Sequence, residues 1–136
     1  MIKKCPICNN ELVSEGNNAS PINISNVCNE YNMNVVIPYR IYLSNKIKDR
    51  AMVVSPEGFI KLVKPESKHF TLEELQSIVG GLIELYPHRI NVDIIICNDK
   101  GSIKNMPYNN LIKLLFDIDL VGTVIVSPTN LDEYDE

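Results

Sequence analysis

The residues best suited to chemistry are two cysteines near the start of the chain. Cys5 and Cys8 enclose Pro6 and Ile7, and a Cys-Pro-x-Cys turn places two thiolates on one tight knuckle, residues 5–8. Two thiolates in that arrangement can reach the same tetrahedral zinc ion. The pair therefore predicts half of a zinc site.

The stretch after this knuckle supports the same interpretation. Residues 9–12, Asn-Asn-Glu-Leu, suit the exit from a knuckle into a short strand, and the whole stretch resembles the first half of a zinc ribbon. Cys28 follows at a plausible distance, so we predict Cys5, Cys8 and Cys28 as metal ligands. A full ribbon needs a fourth ligand, and the position where it is expected holds Tyr31.

Three explanations of the incomplete ligand set stay open. A distant residue, Cys97, His69 or His88, completes the zinc site. Alternatively the knuckle is a degenerate remnant, or Cys5 and Cys8 act as a redox dithiol. Cys97 ends an apolar run, which favours a buried free thiol over a ligand, and both histidines are expected in exposed loops.

Composition and charge exclude several function classes. No apolar run approaches the roughly 18 residues that span a bilayer, and no apolar stretch follows the first lysines, so we expect a cytoplasmic protein without a membrane partner. The net charge is −4, and Asp132, Glu133, Asp135 and Glu136 together contribute −4, so residues 1–131 are about neutral. A neutral body shows no basic face for a nucleic-acid backbone.

The elements that must position these residues become regular from Ala51 onward. Strands are predicted at 51–54 and 59–63, then a helix that Thr71 and Glu74 cap and Gly80-Gly81 ends. Further elements complete the pattern: strands at 82–86, 92–97 and 102–106, a helix from Pro107, and a strand at 121–126. The predicted fold is α+β, in the order ββαβββαβ, with a mostly antiparallel sheet and two helices on one face.

This pattern divides the chain into three parts. Residues 1–34 are predicted to form a zinc-knuckle-like or loop-rich segment, in which 9–34 hold too few large apolar residues for a packed core. Residues 35–128 form the α+β domain, whose first part, 35–43, is interpreted as an edge strand interrupted by Pro38. Residues 129–136 form an acidic tail.

Several motifs in the α+β domain resemble an uncharacterised family. They occur in the following order: Leu75-Gln76, Val79-Gly80-Gly81-Leu82-Ile83-Glu84, Asn98-Asp99-Lys100-Gly101, Met106-Pro107-Tyr108-Asn109 and Val121-Gly122. The ordered set resembles domain of unknown function 3846 over residues 51–128. The family pattern usually has leucine where this chain has Met106, a conservative apolar exchange.

The resemblance implies a biological context. The family occurs in bacterial phages and mobile elements, whose small accessory proteins often inhibit host defence. We therefore expect a non-catalytic phage-type protein that counters bacterial defence by sequestering a nucleotide-like signal or holding a host protein. It would be a homo-oligomer, since small domains form deep pockets at subunit interfaces. The alternative is a zinc-stabilised adaptor for protein or nucleic acid.

No motif of a common enzyme class accompanies this resemblance. The chain has no phosphate-binding loop and no nucleophile elbow, so we expect no enzymatic activity. The candidate ligand-binding residues combine hydrogen-bonding, charged and aromatic side chains: Glu84, Asn98, Lys100, Lys104, Tyr108 and Asn109. For Asn98 and Asn109 we favour turn and helix-cap roles over contact with a ligand.

Overall fold

A five-stranded sheet forms the centre of the molecule. A computed structural model describes residues 3–22, 24–44, 49–86, 93–99 and 105–128. The strands are β1 (Ala51–Val54), β2 (Ile60–Val63), β3 (Ile83–Leu85), β4 (Asp93–Asn98) and β5 (Val124–Pro128). The helices in the described ranges are α1, which joins the segments Asn29–Tyr31, Asn32–Val36 and Ile37–Ser44, α2 (Leu72–Val79) and α3 (Asn110–Phe116).

All neighbouring strands of the sheet are antiparallel, in the order β2-β1-β5-β4-β3. The register places Val54 opposite Ile60, and Ile125 opposite both Val53 and Ile96. Strand β5, the last of the described strands, lies at the centre of the sheet. The predicted α+β fold with an antiparallel sheet is confirmed.

The two faces of the sheet bury different helices. Because side chains alternate along a strand, Met52 and Val54 point to one face, where α1, α3 and the N-terminal segment pack. Val53 and Ile125 point to the other face, which α2 covers. The prediction that the helices lie on one face was wrong, since three helices form two layers around the sheet.

Helix α2 has the ends that its sequence predicts. The Thr71 side chain accepts a hydrogen bond from the Glu74 N–H at 3.1 Å, and the Glu74 carboxylate accepts one from the Thr71 N–H at 2.9 Å. Gly80 ends the helix with φ 83°, a left-handed conformation that suits glycine. Leu75 and Val79 bury the apolar side of the helix against the sheet.

Residues 35–43 are helical, so the predicted edge strand was wrong. Val35, Val36 and Tyr42 are buried at helical rather than alternating spacing. Pro38 lacks an N–H and would crowd the carbonyl of the residue four earlier in an α-helix. The turn before it, Asn32–Val36, is a π-helix, the wider turn that accommodates such a break. Helix α1 also crosses the expected domain boundary at residue 34.

The observed element order differs from ββαβββαβ at two further places. The predicted strand at 102–106 lies mostly outside the described residues, and Asn105 and Met106 belong to no strand. Val121 forms an isolated bridge with Tyr108, and β5 begins only at Val124. Among the described residues, a helix precedes five strands that two further helices interrupt.

The N-terminal segment adds to the core of the sheet rather than building its own. Ala19, Ile22 and Val27 are each at most 5% exposed and belong to the same apolar cluster as Met52 and Val124 in the sheet. Such burial is worth roughly 1.5–3 kcal/mol for a valine or isoleucine side chain. The loop-rich segment is therefore packed, because the sheet supplies the partner surface.

Candidate metal centre

Backbone hydrogen bonds fold the knuckle, residues 5–8. The Cys5 N–H donates to the Asn10 carbonyl, and the Asn9 N–H donates to the Cys5 carbonyl, both at 2.8 Å. Asn9 has φ 65°, a left-handed conformation that asparagine adopts more readily than most residues. An antiparallel bridge between Lys4 and Glu11 closes the loop, so the knuckle lies at the tip of a short hairpin.

Cys28 approaches this knuckle from a second turn. Asn17 and Val27 form an antiparallel bridge with hydrogen bonds of 2.8 Å in both directions. Gly16 precedes the bridge with φ 77°, and a Cβ there would lie 2.9 Å from the Leu12 side chain. The left-handed φ and a Cβ position 3.0 Å from the Val27 carbonyl oxygen favour glycine here. Cys28 follows Val27 directly and is the N-cap residue of α1.

The two turns bring three sulfur atoms together. The Sγ atoms of Cys5, Cys8 and Cys28 all lie within 4.8 Å of one another, and those of Cys8 and Cys28 are 3.7 Å apart. Since a Zn–S bond is about 2.3 Å, two sulfurs on one tetrahedral zinc lie about 3.8 Å apart. A disulfide needs about 2.05 Å, and all four cysteines are free. The spacing fits a shared metal ion.

Backbone N–H groups point at the Cys5 sulfur. Burial by itself raises the pKa of Cys5, but hydrogen bonds from the N–H groups of Cys28, Cys8 and Ile7 lower it overall. Donated hydrogen bonds stabilise the thiolate, which is the form that binds metal. The fold therefore prepares this sulfur for a ligand role.

The Cys8 sulfur has the opposite balance. A hydrogen bond from the Asn10 N–H lowers the pKa of Cys8. Burial and the neighbouring sulfurs of Cys28 and Cys5 together raise it by more, so the net shift of the Cys8 pKa is upward. Adjacent thiolates repel each other, so the three sulfurs do not ionise together easily without a cation. A bound dication would remove this repulsion, which is why the donor set fits zinc chemically.

No fourth cysteine, histidine or acidic side chain of the described residues joins this group. Cys97 lies in β4, where it is 3% exposed and its Sγ is 3.6 Å from the Glu84 carbonyl. Burial, with smaller contributions from Glu84 and Asp99, raises the pKa of Cys97 to about 11. His69 precedes Phe70, whose ring packs on the α2 face of the sheet. His88 lies outside the described residues.

Tyr31 occupies the position where a second ligand on α1 would be expected. It lies three residues after Cys28, which places both side chains on the same side of the helix. Burial raises the pKa of Tyr31, and the Cys8 thiol adds to this more than Glu30 or the other two cysteines do. The phenol is therefore close enough to the sulfur cluster to sense its charge.

A cleft of about 330 Å³ adjoins the centre. It is lined by the knuckle and Tyr31 and by the turn between β1 and β2 together with α3. The lining residues are Pro6, Ile7, Tyr31, Pro56, Glu57, Gly58, Asn110, Leu111 and Leu114. Gly58 has φ 103°, and a Cβ there would lie 3.1 Å from the Tyr31 hydroxyl. The tyrosine thus packs directly over the β1–β2 turn.

Two of the predicted ligand-binding residues, Asn98 and Asn109, lie elsewhere, at the end of the sheet where β4 stops and β5 starts. Asn98 ends β4, and its buried amide donates to the Val79 carbonyl at 3.2 Å. The Asn109 amide donates to the Val54 and Gly122 carbonyls, both at 2.9 Å, and its oxygen accepts from Ile112 to cap α3. The predicted cap role of Asn109 is confirmed.

The remaining members of that set are exposed or lie outside the described ranges. Glu84 is exposed on the edge strand β3, and Tyr108 is 39% exposed with its hydroxyl donating to the Asp119 carboxylate. Lys100 and Lys104 lie outside the described residues. A ligand site composed of these six residues stays a prediction.

The comparisons with known proteins concern the sheet rather than the metal centre. The family model for Domain of unknown function (DUF3846) matches residues 47–135, more than half of the chain. The chain belongs to this family. The resemblance predicted over residues 51–128 is thereby confirmed. No curated protein and no solved structure shows significant similarity to the chain.

The DUF3846 region begins after α1, so the three cysteines precede it. The cleft is nevertheless lined from both sides: Tyr31 precedes the matched region, and Gly58 and Leu111 lie within it. Within the described ranges, no helix has the length and apolar character that crossing a membrane requires. The cysteine cluster is compatible with a zinc-ribbon-like segment that precedes the DUF3846 domain in the chain.

Sequence reasoning identified the three cysteines that the fold brings together but missed the residues around them. The Cys28-x-x-Tyr31 spacing was visible, but it indicated a missing ligand instead of a side chain beside the centre. The contact between Tyr31 and Gly58 joins residues 27 positions apart, and no local pattern predicts such a pairing. The only local signal was the Pro56–Gly58 turn, which gave the hairpin but not its neighbour.

Proposed function

We propose that the chain is a non-catalytic binding protein in which zinc fixes the N-terminal segment to the DUF3846 domain. The observation that carries this proposal is the sulfur cluster of Cys5, Cys8 and Cys28, with 3.7 Å between two of the sulfurs. Soft thiolate donors of this kind select zinc among the abundant divalent metals of the cell. This is the zinc-stabilised adaptor that the sequence suggested as an alternative.

The zinc would act by holding together what would otherwise be two independent turns. In the described residues, the segment before α1 has only two antiparallel bridges, Lys4 to Glu11 and Asn17 to Val27. One ion bound to Cys5, Cys8 and Cys28 would cross-link both turns to the start of α1. Since metal binding free energy becomes folding free energy in such segments, the ion would stabilise this packing on the sheet.

The burial of Cys5 supports a metal ligand over a redox dithiol. A redox-active pair exposes a reactive thiolate to its substrate, whereas Cys5, the cysteine with the lowered pKa, is 1% exposed. A dithiol also needs only two sulfurs, whereas Cys28 places a third beside Cys8. The N–H groups that point at Cys5 stabilise a metal-bound thiolate as well as a free one.

Metal content decides the proposal. We expect about one zinc per chain by elemental analysis of protein purified without chelator. Cys28→Ala should lose the metal, whereas Cys97→Ala, which removes a free thiol outside the cluster, should keep it. Less than about a tenth of an equivalent in the unmodified protein would refute the proposal.

The family membership supports a second proposal, concerning biological role. A DUF3846 protein of phage or mobile-element type would counter bacterial defence by sequestering a nucleotide-like signal or by holding a host protein. The exposed Glu84 and Tyr108 side chains are the described members of its predicted ligand set that face solvent. Calorimetric titration with nucleotide second messengers tests the sequestering form, and no heat with any of them would remove it. Sedimentation analysis tests the expected homo-oligomer.

A further inference from the structure

The three-sulfur centre leaves one position of a zinc tetrahedron without a donor from the described cysteines, histidines and acids. Structural zinc sites are normally closed by four protein ligands, whereas sites with three protein ligands keep a position for an exchangeable molecule. Within the described part of the chain, the centre of Cys5, Cys8 and Cys28 has the second composition. The identity of the fourth ligand therefore decides what the site can bind.

The cleft lies beside the knuckle that carries two of these ligands. Two residues of the knuckle, Pro6 and Ile7, line the cleft, and they lie between the ligands Cys5 and Cys8. Tyr31, on the same side of α1 as Cys28, lines it as well. The cysteines themselves are unequally covered, since Cys5 is buried and both Cys8 and Cys28 are partly exposed. The two partly exposed cysteines are close in the chain to residues that line the cleft, since Cys8 follows Ile7 directly and Cys28 lies three residues before Tyr31.

The chemistry of the centre and the size of the cleft restrict the ligand. Zinc already bound to three thiolates is a soft centre, which takes a further sulfur donor readily. A volume of about 330 Å³ is at the lower end for small-molecule pockets and suits a compact ligand. Ile7 and Leu111 offer apolar contact, and Glu57 and Asn110 offer polar groups.

We propose that the fourth position of the metal centre binds a small-molecule thiol, which enters through the cleft beside Tyr31. The thiol would bind as its thiolate, with its proton released to solvent and its carbon skeleton between the knuckle and α3. This inference rests on the proposed function, because it requires a metal on the three cysteines. It adds that the metal is itself part of a site that binds a small molecule.

Cobalt substitution tests separately whether the three cysteines bind a metal and whether that metal binds a thiol. The protein is prepared with a phosphine reductant in place of thiols and loaded with Co²⁺, whose visible absorption reports tetrahedral thiolate binding. That absorption tests the proposed function. Titration with 2-mercaptoethanol then tests the inference: we expect a saturable rise in the sulfur-to-cobalt charge-transfer band and a shift of the visible bands.

A Tyr31→Cys variant gives the reference spectrum. A cysteine three residues after Cys28 has the spacing of paired zinc ligands, so this variant should show four-sulfur absorption without added thiol and no further response to it. Tyr31→Phe keeps the ring and should still respond. If the unmodified protein already has the spectrum of Tyr31→Cys, the fourth position is filled by the chain itself and the inference is wrong.

A matched pair of leucine substitutions tests the route. Leu114 lines the cleft at 36% exposure, and Leu85 is 52% exposed on β3. Leu114→Arg should raise the thiol concentration for half-maximal change by about tenfold, equivalent to about 1.4 kcal/mol, while Leu85→Arg leaves it unchanged. Cobalt binding with no thiol response would overturn the inference alone. No cobalt binding would overturn the proposed function too.

Discussion

The N-terminal region (α1 and the segment before it, residues 3–44) shares the apolar core on one face of the sheet with the sheet domain (residues 49–128), but the two are held by different means. In the sheet, continuous ladders join five strands, and β5 is paired on both sides. The described part of the segment before α1 has two isolated bridges and a cluster of three thiols. One region is stable through its backbone pairing, and the other depends on side chains that converge.

This difference gives the two regions different sensitivities. A ladder keeps its hydrogen bonds when one side chain changes, because they come from the backbone. The proposed three-cysteine centre should lose its metal when any one sulfur is removed. The apolar residues of the N-terminal region, such as Val27 and Val35, would then remain attached to the sheet by packing alone. Stability should therefore be measured separately in the two regions.

Metal removal is expected to have the largest effect and to act on the N-terminal segment only. Structural zinc contributes on the order of 10 kcal/mol or more to small zinc-dependent folds, so chelation or Cys28→Ala should expose the segment. Hydrogen exchange should accelerate strongly in residues 3–30 and stay slow in β4 and β5. Cys97→Ala is the control for loss of a thiol: its exchange should match that of the unmodified protein until chelator is added. Equal acceleration in both regions would show that they unfold as one unit.

Truncation of a core residue in the sheet should instead destabilise the whole molecule. Ile95→Ala removes a fully buried side chain from β4, and such truncations cost about 2–5 kcal/mol. Chemical denaturation should show this loss in the whole molecule, with metal content unchanged. Val27→Ala, in the N-terminal segment, is the comparison: it should mainly increase exchange around the knuckle. If Val27→Ala lowers the global midpoint as much as Ile95→Ala does, the two regions share one cooperative transition.

The capping box of α2 offers a smaller test that stays within the sheet domain. Glu74→Ala removes the carboxylate that accepts from Thr71, whereas Glu73→Ala removes a carboxylate of the same turn without that contact. Loss of a cap costs about 1 kcal/mol, and only Glu74→Ala should show it. Since α2 lies on the far face of the sheet, metal content should be the same in both variants. A dependence of metal content on Glu74 would contradict the separation of the two regions.

Glu74 also makes the stability of the fold depend on pH, in a direction that its pKa shift defines. Hydrogen bonds from the Thr71 N–H, and less from Glu66, lower the pKa of Glu74 in the folded protein. A lowered pKa stabilises the fold above the unfolded value, about 4.3, and this contribution is lost as the pH falls through the folded value. The stability difference between the native protein and Glu74→Ala should therefore shrink below about pH 4.

How far the sequence predicts each region follows from the range of its interactions. The hairpin of β1 and β2, the capped helix α2 and the Asn109 cap depend on neighbours within a few residues, and all were predictable. The knuckle was predictable for the same reason. Helix α1 was misassigned because Val35 and Val36 favour strands locally, and their helical burial depends on a sheet that starts at residue 51. The cleft joins Tyr31 to Gly58, so only the folded chain shows it.

Thiol reactivity gives the finest distinction between the regions, without any change in stability at neutral pH. Burial raises the pKa of Cys97 to about 11 from an ordinary value of 9.0. At pH 8 its thiolate fraction is then about a hundredfold lower than that of an ordinary thiol. In metal-free folded protein an alkylating reagent should modify the partly exposed Cys8 and Cys28 first and Cys97 last, and metal should protect the first two. A raised pKa stabilises the fold only below the unfolded value, so this contribution is lost as the pH rises from 9.0 towards 11. Rapid modification of Cys97 at pH 8 would show that the sheet domain opens more readily than the metal segment, the reverse of the difference that its backbone pairing implies.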